Sequence, residues 1–409
     1  MTINITPTKL RGTVTAPPSK SVAHRAIIAA ALSRVNTFDS NPIIVRNIQL
    51  SEDIEATLEC ARNLGCGFEY NAQSGEVVIH AGKPVDCAQG RVFSCGESGS
   101  TLRFFIPIAL AIGGKSTFVG RGRLLARPQT PYFEIFDKFG IEYTYDSEKI
   151  TVDGQLQAGN YELAGDVSSQ FVTGLLFALA LVNGESSITM TSPLSSRGYV
   201  DLTLQVMRDF GVEVANHNYE TFTIKGGQAF NRSDYTVEGD YSQAAFWLVA
   251  KAIGNDVECI GVSTDSLQGD KRIVDIVTDK SDEITIDVDE IPDLVPILAV
   301  LCSLKYKHAK LINAGRLRIK ESDRLNATAT ELNKLGARIT EGEDFLEIDG
   351  VDGFRGGNVS AHNDHRIAMA LSIAATRANG SVVIDGAESV KKSYPNFWEE
   401  YVNLGGGIE

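Results

Sequence analysis

NLGCGFE at residues 63–69 comes back as KFGIEYT at 138–144, DFGVEVA at 209–215, KLGARIT at 334–340 and NLGGGIE at 403–409. Each copy closes an amphipathic run with glycine and then turns into β-forming residues. Glycine ends a helix in the left-handed conformation at the least steric cost. The pattern therefore predicts a helix stopped by Gly65, Gly140, Gly211, Gly336 or Gly405 and followed by a strand. Three of the intervals between these glycines are about 70 residues and one is nearly double, and a degenerate copy around Ile273–Ile286 would fill the long gap.

A second set of segments recurs in step with the first. PSKSVAHRAIIAAALS (18–33), CGESGSTLRFFIPIALAIGG (95–114), GDVSSQFVTGLLFALALVNG (165–184), GDYSQAAFWLVAKAIG (239–254) and HNDHRIAMALSIAATRANG (362–380) each open on a small or charged polar cluster and continue as an almost wholly apolar helix; IPDLVPILAVLCSL (291–304) is a weaker sixth member. A helix that is apolar on every face is buried on every face. Each repeat thus pairs one buried helix with one amphipathic helix and short strands, and no copy can bury its core alone. Six copies in two groups of three predict an α/β protein of two similar domains. The repeat register puts the breaks near Pro17-Pro18 and Val237-Glu238, giving a discontinuous domain of 1–16 with 238–409 and a continuous one of 17–237.

Bulk properties agree with a folded chain of more than one domain: 409 residues, 43% hydrophobic and 22% charged. The N-terminus lacks the apolar core of a signal peptide, and no apolar run reaches the roughly 18 residues a membrane helix needs. Six cysteines (Cys60, Cys66, Cys87, Cys95, Cys259, Cys302) form no CxxC pair and read as reduced thiols of a cytoplasmic protein, with neither zinc nor any other metal expected. The net charge of −14 argues against a nucleic-acid or membrane-surface partner. An anion site in such a chain has to be a local island of cations.

RIKESDR at 318–324 is such an island. Helix starts present unpaired N–H groups and the positive end of a dipole, which favours anions. Here the openings hold bases instead: Lys20, Ser21 and Arg25 in the first buried helix, Asp364, His365 and Arg366 in the last, with Ser168, Ser169 and Gln170 in the third. RIKESDR leads into an amphipathic helix with Ser322 as its expected N-cap, Arg324 in its first turn, and Leu325, Ala329, Leu332 and Leu335 along one face. Taken singly, each of these bases reads as a solvated surface residue, and RIKESDR as a run of weak ion pairs. Their recurrence at equivalent points of several repeats favours a ligand. His362 and His365 suggest a metal only in isolation, because no third ligand accompanies them. GGKST (113–117) lacks the earlier glycine of a phosphate loop and follows a helix, so it is rejected as one.

Five motifs, SKSxxxR, GDxSSQF, IPD, RxKESDR and NDHRxAM, stand in the order and roughly the spacing of one family, from PPSKSVAHRA to VKKSYPNFWEEY. On them the chain resembles the 5-enolpyruvylshikimate-3-phosphate synthases. The resemblance implies an inside-out α/β barrel of two domains, each of three βαβαββ units, with helix N-termini meeting at an interdomain cleft that closes on its ligands. It implies transfer of the enolpyruvyl group of phosphoenolpyruvate to the 5-hydroxyl of shikimate 3-phosphate by addition and elimination, with phosphate released, no cofactor, and a monomeric enzyme. Carried over by position, Lys20, Ser21, Arg25, Ser168, Ser169, Gln170, Ser196, Tyr199, Asp293 and Lys320 bind shikimate 3-phosphate. Lys20, Gly99, Arg127, Gln170, Arg324, Arg366 and Lys392 bind phosphoenolpyruvate. Asp293 matches the base, while Glu321 and Lys20 serve the remaining proton transfers.

Glu97, Phe104 and Arg316 depart from the best-known members and bear on affinity and inhibitor sensitivity, not on the reaction class. Arg127 or Arg103 would have to compensate Glu97. The alternatives are the sister transferase acting on UDP-N-acetylglucosamine, whose loop cysteine is not evident between Gly113 and Pro128, and a non-catalytic anion-binding scaffold of the same repeats.

Overall fold

The computed structural model describes residues 1–35, 41–82 and 90–409; Cys87 lies outside them. Two compact units result, one from Met1–Pro17 with Gly239–Glu409 and one from Pro18–Glu238. Each crossing falls one residue beyond the position read from the repeat register.

One plan is used throughout. Residues 91–153 illustrate it: strand Arg91–Ser94, buried helix Gly99–Ile112, strand Ser116–Val119, amphipathic helix Thr130–Phe139, then strands Glu142–Tyr145 and Lys149–Asp153. The first two strands pair in parallel and the fourth lies antiparallel between the second and third. Among the described residues five four-stranded sheets share this order. Two of them borrow a strand from the far end of their unit. Asp234–Thr236 lies beside Ile43–Arg46, and Thr2–Thr6 lies between Val382–Asp385 and Gly407–Ile408.

The degenerate copy is cut short. Its sheet has two parallel strands, Arg11–Thr15 and Asp256–Ile260, and its helix spans only Ile273–Thr278. The strand that ends this stretch, Glu283–Asp287, opens the next sheet by pairing with His308–Ile312. No glycine follows this helix; Asp279 caps it instead. The other five amphipathic helices run into Gly65, Gly140, Gly211, Gly336 and Gly405, all left-handed with φ between 66° and 92°. There any side chain would be strained, which is why the glycines recur.

The six apolar segments form helices Lys20–Leu32, Gly99–Ile112, Ser169–Leu181, Tyr241–Ala252, Val295–Lys305 and His365–Ala375, each buried over most of its length. Each fully buried Leu or Ile contributes about 1.5–3 kcal/mol relative to exposure. Five of the six are capped by a small polar side chain that accepts a backbone N–H: Ser19, Ser98, Ser168, Asp240 and Asp364. The helix at Val295 instead grows out of a 3-10 turn at Pro292–Leu294, which places Asp293 just ahead of it.

Candidate active site

In the unit that holds both termini, the predicted residues converge on Arg324. It is the first residue of helix Arg324–Lys334, and its side chain is 1% exposed. Its Nη1 donates to Asp293 Oδ1 at 2.8 Å, its Nη2 to Glu321 Oε2 at 2.7 Å, and its Nε to Asp364 Oδ2 at 2.9 Å. Arg366, at the opening of the next buried helix, donates from Nη2 to Asp293 Oδ2 at 2.8 Å and from Nη1 to the Asp293 carbonyl at 3.3 Å. Lys320 Nζ lies 3.9 Å from Asp293 Oδ1. Asp293 therefore meets two guanidiniums with its two oxygens and an ammonium beyond them. Lys392, from a 3-10 turn over Ala387–Lys392, donates to the Asn363 carbonyl at 2.7 Å.

Burial and charge pull these groups in opposite directions. Burial would lower the Arg324 pKa, but Asp364, Glu321 and Asp293 outweigh it and raise it above the usual arginine value. Lys320 goes the other way: burial pushes it down to about 8, with Asp293 only partly restoring it. Asp270 is buried beside this set, takes a hydrogen bond from Ser242, and is pushed up to about 7 by burial and by the negative charge of Asp293.

One expectation needs correcting here. Ser322 is not the N-cap. Asp323 takes that place and accepts the N–H of Asn326 at 3.1 Å, because its carboxylate reaches the first turn directly. Ser322 Oγ turns to Asp364 Oδ2 at 3.1 Å instead. At these helix starts Arg324 and Arg366 are met by the protein's own carboxylates. RIKESDR itself divides: Arg318 goes to Asp323, Glu341 and the Gly342 carbonyl, leaving Lys320, Glu321 and Arg324 around Asp293. Arg316, a departure from the family pattern, binds Asp289 through Nη2 at 2.8 Å.

In the unit of Pro18–Glu238, Arg25 is the counterpart, and its environment is neutral. Its Nε donates to Thr203 Oγ1 at 2.8 Å, its Nη1 to the Ser21 carbonyl at 2.7 Å, and its Nη2 to the Tyr199 carbonyl at 2.9 Å and Thr173 Oγ1 at 3.4 Å. The ring of Phe104 lies 5.3 Å beneath the guanidinium, which gives that departure a role. Among the described residues no carboxylate pairs with Arg25, and burial pushes its pKa down to about 10. Lys20, first in its helix, pairs with Asp53 at 2.7 Å.

Ser168 caps helix Ser169–Leu181, and Gln170 in its first turn links two others: Nε2 donates to Ser100 Oγ at 2.9 Å, and Oε1 accepts from Arg103 Nη1 at 2.8 Å. Arg103 also donates to the Pro128 carbonyl at 3.0 Å. Gly99 lets the Arg127 guanidinium lie close, since a Cβ there would fall 2.6 Å from Arg127 Nη1. Ser196 is left-handed at φ 57° and stands at the head of helix Arg197–Asp209, which carries Tyr199 and Thr203.

Sequence reasoning missed Asp53, Asp270, Thr173 and Thr203, and it read Asp364 only as a helix opening. Asp364 had a signal in its N-cap spacing. The others pair across elements distant in the chain and had none. Among the described residues no group of three His, Cys, Asp or Glu is placed to hold a metal ion.

The repeats and these clusters define the class. The enolpyruvyl transferase NikO from Streptomyces tendae has the same fold at a TM-score of 0.76 and 17% identity, over 100% of this chain and 98% of its own. The EPSP synthase of Acinetobacter baumannii superposes at a TM-score of 0.79 with 27% identity, over 100% of this chain and 99% of that one. The pattern of the family EPSP synthase (3-phosphoshikimate 1-carboxyvinyltransferase) matches residues 5–401. The 3-phosphoshikimate 1-carboxyvinyltransferase of Clostridium kluyveri is 46% identical, aligned over 100% of this chain and 98% of its own; that of Clostridium perfringens is 43% identical over 98% of each. This chain belongs to the EPSP synthase family.

Proposed function

We propose that the two sets of residues act on one pair of substrates and divide the family's reaction between them. The chain transfers the enolpyruvyl group of phosphoenolpyruvate to shikimate 3-phosphate, a transferase step of aromatic amino-acid biosynthesis. Arg25, with Ser21, Ser168, Ser169, Gln170, Ser196, Tyr199, Lys20 and Lys320, takes shikimate 3-phosphate. Arg324, Arg366, Lys392, Arg127 and Gly99, joined by Lys20 and Gln170, take phosphoenolpyruvate. Arginine suits carboxylate and phosphate because its planar fork meets two oxygens at once.

The observation that carries this reading is Asp293 held between Arg324 and Arg366, with Glu321 on the same guanidinium. Both carboxylates are thus engaged by guanidiniums before any substrate arrives. Phosphoenolpyruvate brings its own anionic oxygens to Arg324 and Arg366, and this loosens their hold on Asp293 and Glu321. Glu321, released from the guanidinium, takes up a proton from solvent. Asp293 then accepts the 5-hydroxyl proton as that oxygen bonds to C2, while Glu321 passes its proton to the methylene carbon and Lys20 assists. In the second step Glu321 takes a methyl proton back and the double bond re-forms. The C2–oxygen bond to phosphate breaks, and the proton on Asp293 leaves with the phosphate. The cations stabilise the departing charge.

Phosphate release measured with each acceptor is the test. Release with shikimate 3-phosphate and none with UDP-N-acetylglucosamine is expected; release with the nucleotide sugar, or with neither, overturns the reading. We further place the enzyme in the cytoplasm as a monomer. Among the described residues no helix is long and apolar enough to cross a membrane, and the five described cysteines form no disulfide.

A further inference from the structure

Behind the arginine cluster lies a second polar centre that the mechanism does not use. Glu331 sits two turns along the helix that Arg324 begins, and its side chain is 1% exposed. Its carboxylate receives the N–H of Ser360 at 3.0 Å, Lys334 Nζ at 2.8 Å on both oxygens, and His362 Nε2 at 2.6 Å. Those donors hold it below the usual glutamate value although burial opposes them.

The segment it grips is unusual. His362 and Asn363 are successive left-handed residues, at φ 50° and 55°. Neither is glycine, so the conformation is unfavourable at both and has to be held from outside. The turn is fastened by Ala361 N–H to the Asp385 carbonyl, Asp364 N–H to the Ala361 carbonyl, and His362 N–H to Ser360 Oγ. Its output points at the site. The Asn363 carbonyl takes Lys392 Nζ at 2.7 Å, and the next residue, Asp364, caps the helix of Arg366 and binds Arg324 Nε. One helix therefore holds the turn at two points, through Arg324 to Asp364 and through Glu331 to Ser360 and His362.

We propose that Glu331 and His362 are positioning residues that clamp this strained turn, and so fix Lys392 and Arg324 for phosphoenolpyruvate. The inference rests on the reading of those two cations as phosphoenolpyruvate ligands. The clamp needs an N–H at His362 Nε2, which the imidazolium and one neutral tautomer both supply. Without it the turn relaxes towards right-handed geometry, the Asn363 carbonyl leaves Lys392, and the Asp364 carboxylate shifts from Arg324.

His362→Phe keeps a ring and removes the donor, and Glu331→Gln removes the charge that gathers the donors. Both should raise the KM for phosphoenolpyruvate about tenfold, the scale of a small displacement of a substrate-holding group. The KM for shikimate 3-phosphate should stay within about twofold, as expected where nothing local changes. His362→Gln, which restores an N–H, should recover most of the loss. A parallel rise of both KM values with a falling Tm would mean a purely structural role and overturn the proposal. Lys392→Met separates the two levels. If it raises the phosphoenolpyruvate KM while His362→Phe and Glu331→Gln leave it unchanged, the clamp is wrong and the ligand reading stands. If Lys392→Met itself has no effect, both fall. Should Glu331→Gln not fold, His362→Phe decides alone, since His362 is 38% exposed and outside the core.

Discussion

Arg324 and Arg25 are both buried guanidiniums, and their surroundings are opposite. Arg324 is met by three carboxylates, while Arg25 is met by two hydroxyls, two carbonyls and an aromatic face. The result is one arginine whose charge the fold itself neutralises and one whose charge the fold only solvates. The first is part of the stability of its unit, because removing either side of a buried ion set leaves the other side uncompensated. The second carries a burial cost that an arriving carboxylate would relieve. Two residues with the same assigned task, holding an anion, are thus wired for different consequences when changed.

The largest effects should come from the carboxylates on the Arg324 side. Asp293→Asn and Glu321→Gln should each lower turnover about 10²–10⁴-fold, the usual contribution of a general acid or base. Phosphate release at saturating substrates measures this, and turnover within a few-fold of wild type would withdraw their roles. Next comes the arginine itself. Arg324→Met strands its carboxylates and should cost about 3–5 kcal/mol in urea unfolding. Arg25→Met strands none, so its urea midpoint should be unchanged or higher. Its affinity for shikimate 3-phosphate should fall about 10–100-fold, the equivalent of one or two charge-assisted hydrogen bonds. Equal destabilisation by the two substitutions would break the comparison.

The smallest effect sharpens it through pH. Lys320, pushed down to about 8, is charged below that value and neutral above it. Binding of shikimate 3-phosphate should therefore weaken as pH rises through about 8. Lys320→Arg should remove that inflection in a titration of affinity against pH. The stability of the unliganded protein runs the other way. Between about 8 and the ordinary 10.5 the unfolded chain binds a proton that the folded chain has lost, so this lysine makes stability rise with pH across that window.

Much of this was legible beforehand because it is local. A glycine after an amphipathic run, an apolar helix without a polar face, and a small polar residue ahead of it each act within a few residues, so repeats, helices and caps could be read directly. RIKESDR could be recognised as a site but not divided. Nothing in the heptapeptide separates Arg318, which goes to Glu341 and the carbonyl of Gly342, from Arg324, which goes to Asp293. The short fourth repeat was visible as a long interval, yet its loss of two strands was not, because the strand that ends it pairs with a later partner.

The order of residues therefore determined the repeat, its helices and strands, and the family's motifs, all set by backbone preference and the period of burial. Tertiary structure alone decided which charge answers which. Asp364 and Asp293 reach Arg324 from two distant segments while Glu321 comes from its own, and Thr173, Thr203 and Phe104 reach Arg25 from three more. Electrostatic energy depends on distance through space, and distance along the chain carries no record of it.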